Sequence, residues 1–238
     1  MLKRLFCGLL LMVCGVPMCL AQQTPTTQGT EFWVSFMRNG YRNLSEPDPE
    51  TEKLVMIVSA KRGCTVTVRN PNQNWEDSFT VGDNGVETFL VPDARGYNNQ
   101  QDGKSNKGLL VTSTDTISLY VANEASDSYD AANVLPVQAL GSNYMIQSSK
   151  SISDQSGHPD ENRASFLVVA TEDNTQVSIT PTCETWDSHV AGRPYTVDLQ
   201  AGECYHVLNK YQGTTFKPPG KVAFRTPCPL FHFLPPCT

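Results

Sequence analysis

Residues 165–182, SFLVVATEDNTQVSITPT, decide the fold of this chain. An unbroken apolar run at 166–170 is followed by a polar corner at 172–175, after which apolar and polar residues alternate. β-branched residues favour the pleated strand, and Asp and Asn tolerate the backbone of a tight turn. The stretch therefore predicts two short strands joined by a turn.

The same pattern occurs earlier in the chain, at residues 54–71, LVMIVSAKRGCTVTVRNP. When the two stretches are aligned without gaps, Val55 falls on Phe166 and Val68 falls on Ile179. The segments that follow, 79–91 and 195–207, also resemble each other. Similarity at a fixed spacing indicates a repeated supersecondary unit, so we expect one β-unit used twice.

Helical periodicity is hard to find anywhere in the sequence, whereas short strand patterns separated by Gly, Pro and Asn are frequent. This pattern predicts an all-β protein of duplicated antiparallel β-sandwich units, Greek-key or jelly-roll-like in connection. A propeller-like arrangement is the alternative, although two copies cannot close a ring.

The N-terminal residues have the pattern of an export signal. Lys3 and Arg4 precede an apolar run at 5–16, and Ala21 is a small residue at the expected cleavage position. The run is shorter than the ~20 residues that a transmembrane helix needs. We therefore expect an exported chain without a transmembrane segment, located outside the cell or on its outer surface, with the periplasm as an alternative.

The expected organisation follows from these patterns. It is a signal peptide (1–21), a tether (22–29), a first β-unit (30–147), a polar loop (148–164), a second, incomplete β-unit (165–224) and an irregular tail (225–238). Four prolines crowd the tail, so we expect it to be disordered, with no further strand to pair, as in a truncated or frame-shifted end.

Charge and cysteine usage narrow the class of protein further. The formal net charge of −6 without a basic block lacks the electrostatic pattern of a nucleic-acid-binding protein. Once the signal is removed, an odd number of cysteines remains, which allows up to two disulfides with the pairing left open. These cysteines are Cys64, Cys183, Cys204, Cys228 and Cys237.

Several stretches resemble the N-terminal domain family of the IgGFc-binding protein, which is widespread in secreted surface proteins of Bacteroidetes-like bacteria. The residues that carry the resemblance are GTEFWV at 29–34, ANVLPVQALGSNY at 132–144, FLVVATEDNTQV at 166–177 and LQAGE at 199–203. The likeness extends from Gln28 to about Phe224. It implies a binding module, with antibody binding suggested by the family's name, and offers no catalytic motif to transfer.

Catalytic and metal-binding motifs are missing from the sequence. The four histidines form no H-E-x-x-H pattern, and no G-x-S-x-G pentapeptide occurs. His206, on a strand after Tyr205, is expected to face solvent. We expect no cofactor, no metal and no enzymatic activity. A glycan hydrolase with spatially paired carboxylates remains a third hypothesis, and its candidate acids are Asp127, Asp130, Glu172 and Asp173.

Surface recognition of a protein or a glycan is the preferred function, as in an adhesin. Aromatic and Arg side chains in loops supply much contact area at little entropic cost. The candidate contact residues are Trp75, Arg95, Tyr97, Tyr129 and Trp186. The alternative is a structural component of an envelope or of a surface assembly associated with gliding or secretion.

Overall fold

The computed structural model describes residues 26–37, 52–99, 102–125, 128–148, 163–211, 216, 220–224 and 230–231. The strands are β1 (Gln28–Val34), β2 (Leu54–Ala60), β3 (Cys64–Asn70), β4 (Trp75–Val81), β5 (Gly85–Val91), β6 (Gly103–Ser105), β7 (Leu109–Ala125), β8 (Ser128–Val134), β9 (Asn143–Met145), β10 (Ser165–Val169), β11 (Thr175–Thr180), β12 (Tyr195–Leu199), β13 (Cys204–Leu208), β14 (Lys221–Phe224) and β15 (Leu230–Phe231). A four-residue helix, α1 (Asp93–Gly96), and 3-10 turns at Pro71–Gln73 and Val137–Ala139 complete the elements. The predicted all-β class is confirmed.

The strands form three antiparallel sheets. The first sheet has seven strands in the order β4-β3-β7-β2-β5, with β1 and β8 also paired to β7. The second sheet has the order β15-β10-β13-β6, and the third has the order β12-β11-β14-β9. A propeller blade is a four-stranded sheet. The seven-stranded sheet is therefore larger than a propeller blade.

The prediction that β2 and β3 form a hairpin is wrong. They continue in one direction and pair together with β4 and β5, so that Leu54 lies opposite Val91 and Asn70 lies opposite Trp75. The chain reverses instead at the 3-10 turn, where Asn74 adopts a φ of +48°. A polar corner predicts a break in a strand, but it does not distinguish a reversal from a bend.

The bend of this long ribbon lies where residues 61–63 face residues 82–84. The Asn84 N–H donates to the Lys61 carbonyl at 3.2 Å, and the Gly63 N–H donates to Asp83 Oδ1 at 2.6 Å. Asn84 has a φ of +51°, the kind of backbone that the Asp-Asn-Gly sequence predicts. The bend takes the ribbon from one half of the first sheet to the other, and β7 spans both halves.

The second copy of the pattern is built in the same way. β10 pairs with β13 and β11 pairs with β12, so these four strands again form one bent ribbon. In the first copy β7 pairs with both β2 and β3. In the second copy two strands take these positions: β14 pairs with β11, and β15 pairs with β10. The expectation that no further strand pairs in the tail is therefore wrong at Leu230–Phe231. The rest of residues 225–238 lies outside the described part.

The two copies are equivalent in structure, but the gapless alignment is one residue out of step in the first strand. Met56 and Val58 point into a first core, and Phe166 and Val168 point into a second core. Met56 is thus the structural counterpart of Phe166, whereas Val66 and Val177 match as aligned. A shift of one residue moves a side chain to the opposite face of a strand, so the sequence alignment had reversed the faces of β10.

The second sheet lies between the two cores. Leu167 and Val169 of β10 belong to the first core, which is built mainly from β1, β2, β3 and β7. Phe166 and Val168 belong to the second core, together with β11 and with Phe216. All five residues of β10 are buried. The continuous apolar run arises because this strand is covered on both faces.

Strand pairing also bears on the organisation of the chain. We call β1–β8 the first unit and β9–β15 the second unit, following chain order; β9 pairs with β14 within the second unit, whereas β6 pairs with β13 across the two units. β1 begins at Gln28, inside the segment expected to be a tether. Residues 128–134 form β8, and a 3-10 turn follows at Val137–Ala139. The expected signal peptide and most of the expected polar loop lie outside the described residues.

Candidate binding surface

The predicted contact residues fall in three different environments. Trp75 and Arg95 come together, with the guanidinium carbon 5.9 Å from the centre of the indole ring. Tyr97 is only 4% exposed and packs in the first core, so it is not available to a partner. Tyr129 is 59% exposed on β8, and Trp186 is half-buried in the long connection between β11 and β12.

Trp186 lies beneath a second Arg side chain. The guanidinium carbon of Arg163 is 4.8 Å from the centre of the Trp186 ring, close enough for a cation–π interaction. Arg163 also donates from Nη1 to the Lys210 carbonyl. The segment just before β10 and the segment just after β13 therefore both position this pair.

The connection that carries Trp186 is fixed by backbone hydrogen bonds. The Trp186 N–H donates to the Leu208 carbonyl at 2.8 Å, and Thr185 forms an antiparallel bridge with Asn209. The Ser188 N–H donates to the Thr185 carbonyl at 2.9 Å, and Ser188 adopts a φ of +66°. The connection is therefore a fixed extension of the sheet edge, which lowers the entropic cost of using it as a contact surface.

Asp102, from the segment that leads into β6, ties the two units together at this point. Its carboxylate accepts a hydrogen bond from the Asp187 N–H at 2.9 Å and another from the Leu208 N–H. Burial raises the pKa of Asp102 to about 7, although the two N–H donors act in the opposite direction. A carboxyl group of the first unit thus holds the Trp186 connection of the second.

Aromatic rings support the same connection from below. The rings of His189 and Tyr195 are stacked, with 3.6 Å between centroids and an interplanar angle of 3°. Tyr195 meets Tyr205 edge to face at 6.4 Å. Burial raises the pKa of both tyrosines, that of Tyr205 to about 12. These two hydroxyls therefore stay protonated at neutral pH.

This surface also carries a half-buried ion pair and two exposed side chains. Lys210 Nζ lies 2.5 Å from Glu184 Oε1, and the Tyr211 hydroxyl donates to Glu184 Oε2 at 3.3 Å. Tyr211 is 54% exposed and Val190 is 52% exposed. We call the set Arg163, Trp186, Val190, Lys210 and Tyr211 the Trp186 surface.

Sequence reasoning found Trp186 but not the residues around it. Arg163, Lys210 and Tyr211 are separated from it in sequence and are brought to it by the pairing of β10 with β13. No local pattern marks them, because cross-strand neighbours depend on register. His206, expected to face solvent, is completely buried, since β13 is covered on both faces like β10.

The described candidate acids of the glycan-hydrolase hypothesis lie at a bend and on a strand. Glu172 and Asp173 are exposed at the bend between β10 and β11, where Asp173 Oδ1 accepts a hydrogen bond from the Ala201 N–H at 3.0 Å. Asp130 is half-buried on β8, and burial raises its pKa to about 6. Asp127 lies outside the described residues. Within the described part of the chain, no cluster of three His, Cys, Asp or Glu side chains could hold a metal ion.

The described cysteines are free thiols. Cys64 and Cys204 are buried in the first core, and Cys183 is half-buried. Burial raises the pKa of Cys204 to about 11, so this thiol is un-ionised at neutral pH. No disulfide therefore forms among the three described cysteines, and Cys228 and Cys237 lie outside the described residues.

Over the residues that the structure describes, no helix has the length and apolar character to span a membrane. Residues 130–217 match the family model described as IgGFc binding protein. Neither a curated protein nor a solved structure matches the chain. The matched segment runs from β8 to the end of the described second ribbon and includes the whole Trp186 surface. The similarity to this family therefore covers residues 130–217 of the chain.

Proposed function

We propose that this chain is an exported, non-enzymatic binding module that recognises a protein outside the cell or on its surface, and that it does so through the Trp186 surface. The family's description names the binding of IgG Fc, which makes a protein the first partner to consider. The export pattern at residues 1–21 supports a location outside the cytoplasm.

The Trp186–Arg163 pair carries the proposal. Trp and Arg are the side chains most enriched among residues that dominate binding energy at interfaces, along with Tyr. Here all three types meet in one place within the matched family segment, beside an exposed valine. An Arg lying over an indole is already oriented, so little side-chain entropy is lost when a partner covers it.

The surface suits a protein better than a small ligand. It is an extension of a sheet edge, fixed by the Asp102 hydrogen bonds, and Lys210 is paired with Glu184 beside it. An aromatic centre with a polar rim is the usual arrangement of protein interfaces. The Trp75–Arg95 pair repeats the same chemistry in the first unit, outside the matched segment.

Binding of the full chain to immobilised IgG Fc tests the proposal directly. Trp186→Ala should weaken binding by about thirtyfold, as expected for the loss of a central aromatic residue worth roughly 2 kcal/mol. Tyr129→Ala is the control, because it removes a 59% exposed aromatic side chain that lies on β8 and not on this surface. It should leave the affinity unchanged.

Two further experiments distinguish recognition of protein from recognition of glycan and test for partners other than Fc. Enzymatic removal of the Fc glycan distinguishes recognition of protein from recognition of sugar. If Fc is not bound, proteins captured from serum or mucus by the wild-type chain should be lost with Trp186→Ala. Capture of the same proteins by wild type and by a Trp186→Ala, Tyr211→Ala double variant would refute the assignment of this surface.

A further inference from the structure

The two units are docked through faces that can be identified by strand pairing. In the second unit, Cys204 lies opposite Val169 and Leu208 lies opposite Ser165. In the first unit, the strand in the same place is β5, with Val86 opposite Ser59 and Leu90 opposite Val55. The counterpart of Cys204 is thus Val86, and that of Leu208 is Leu90.

In the second unit this face is covered by the first unit. Leu167, Val169 and Cys204 belong to the first core, and Cys204 is hydrogen-bonded with Ser35 and with the backbone of Lys107. Cys204 is 0% exposed and Leu208 is 3% exposed. The covered face is therefore the docking face of the second unit.

In the first unit the equivalent face is open along β5, although Val55, opposite Leu90, is only 5% exposed. Val86 is 61% exposed and Leu90 is 55% exposed, and Tyr120 on β7, two strands away, is 42% exposed. We call Val86, Leu90 and Tyr120, with the half-buried Ile57 between them, the β5 face. Large apolar side chains at exposed positions on neighbouring strands mark a contact surface.

The edge strand beside this face, β5, pairs with only one neighbour in the described sheet. In the second unit, β6 from the first unit pairs with the edge of β13, with Ser105 opposite Cys204 and Gly103 opposite His206. In the first unit, β5 is the last strand in the order of the described sheet. An unpaired edge strand can accept a strand from another chain.

The surface complementary to the β5 face lies in the second unit, and it can be identified by comparison with Trp33 of the first unit. In the first unit Trp33 lies opposite Leu110 and is only 4% exposed. The second unit packs against it at Gly202, since a Cβ added to Gly202 would lie 3.2 Å from a carbon of the Trp33 ring. Strand pairing makes Met145 the counterpart of Trp33, because it lies opposite Lys221 on the equivalent strand. Met145 is 69% exposed. The position that the second unit covers in the first is thus open in the second.

We propose that a second copy of this chain docks on the β5 face, with the Met145 end of one copy covering Val86 and Leu90 of the next. The contact repeats the docking that already joins the two units within the chain. Because the two contacting faces differ, the association is head-to-tail and continues from copy to copy. It is independent of the Trp186 surface, which lies on other elements.

The full chain tests this by its molar mass in light scattering over a concentration series. Wild type should show a mass that rises with concentration. Leu90→Asp removes one face and Met145→Asp removes the other, so each variant alone should remain a monomer. Mixed in equal amounts, the two variants should form a dimer and stop there, since each supplies the intact face that the other lacks.

Thr80→Asp is the matched control, since it places the same charge at an exposed position of the same ribbon beyond its bend. It should associate like wild type. Circular dichroism spectra that match wild type establish that each variant is folded. A wild-type chain that stays monomeric throughout the series, or a mixture of the two variants that stays monomeric, would overturn the proposal.

Discussion

Asp102 shows how much one side chain can decide. It belongs to the first unit, yet it accepts the Asp187 and Leu208 N–H groups of the second, and burial raises its pKa to about 7. In the unfolded chain the pKa of an Asp is about 3.9. Between these values the folded protein binds more protons than the unfolded chain, so its stability must fall as the pH rises.

We therefore predict that the free energy of unfolding decreases from pH 5 to pH 8, by on the order of 3 kcal/mol for Asp102. Asp130 adds to the effect in the lower part of this range, since its pKa is raised to about 6. Urea unfolding at a series of pH values measures the slope. Asp102→Asn, which cannot ionise, should flatten it, and an unchanged slope in that variant would contradict the prediction.

Gly108 is a second residue at which the two units meet. Its N–H donates to the Gly202 carbonyl at 3.1 Å, and a Cβ at Gly108 would lie 2.4 Å from that oxygen. Backbone cannot move aside as a flexible side chain can, so Gly108→Ala should destabilise the protein by about 2 kcal/mol or more in chemical denaturation. Gly82→Ala is the control, because nothing lies within 4 Å of a Cβ there, and it should change stability by less than about 0.5 kcal/mol.

At the scale of the strand, equivalent positions in the two units differ in how much of their side chains is exposed. Leu208 on β13 is 3% exposed, and its counterpart Leu90 on β5 is 55% exposed. Leu208→Ala should cost about 2 to 5 kcal/mol because it leaves a cavity, whereas Leu90→Ala should cost less than about 1 kcal/mol. Urea unfolding of dilute protein measures both. Equal losses would mean that the two strands are not covered as differently as the exposures indicate.

The strands also show which features of the fold could be predicted from the sequence. The positions of β2, β3, β10 and β11 could be predicted, since alternation and apolar runs are local properties. Their partners could not. The same polar corners that predict hairpins serve here as bends in two long ribbons, because the energy of a turn is local whereas strand pairing depends on residues far away in sequence.

At the scale of the whole molecule, the second sheet joins the two cores into one cooperative structure. Leu167 and Val169 contribute to one core, and Phe166 and Val168 to the other. Neither unit can lose β10 without exposing apolar surface of the other. The units are therefore coupled by burial and not only by the chain that connects them.

We predict a single unfolding transition. Trp33 and Trp75 report on the first unit, and Trp186 reports on the second. Unfolding followed by fluorescence of single-tryptophan variants, with the other two changed to Phe, should give coincident curves at both sites and by far-ultraviolet circular dichroism. Separate midpoints for the two units would show that the shared sheet does not couple them.

The sequence by itself determined the all-β class, the repeated unit and the similarity of residues 130–217 to the IgGFc-binding protein family, because alternation, repetition and motif are properties of local sequence. It also pointed to Trp186 as a loop aromatic. Only the tertiary structure decided that Tyr97 and His206 are buried, that Arg163 and Tyr211 join Trp186, and that one unit leaves open the face that the other covers. The physical reason is that burial and contact depend on the register and layering of strands, and these are set by long-range packing and not by any single stretch of residues.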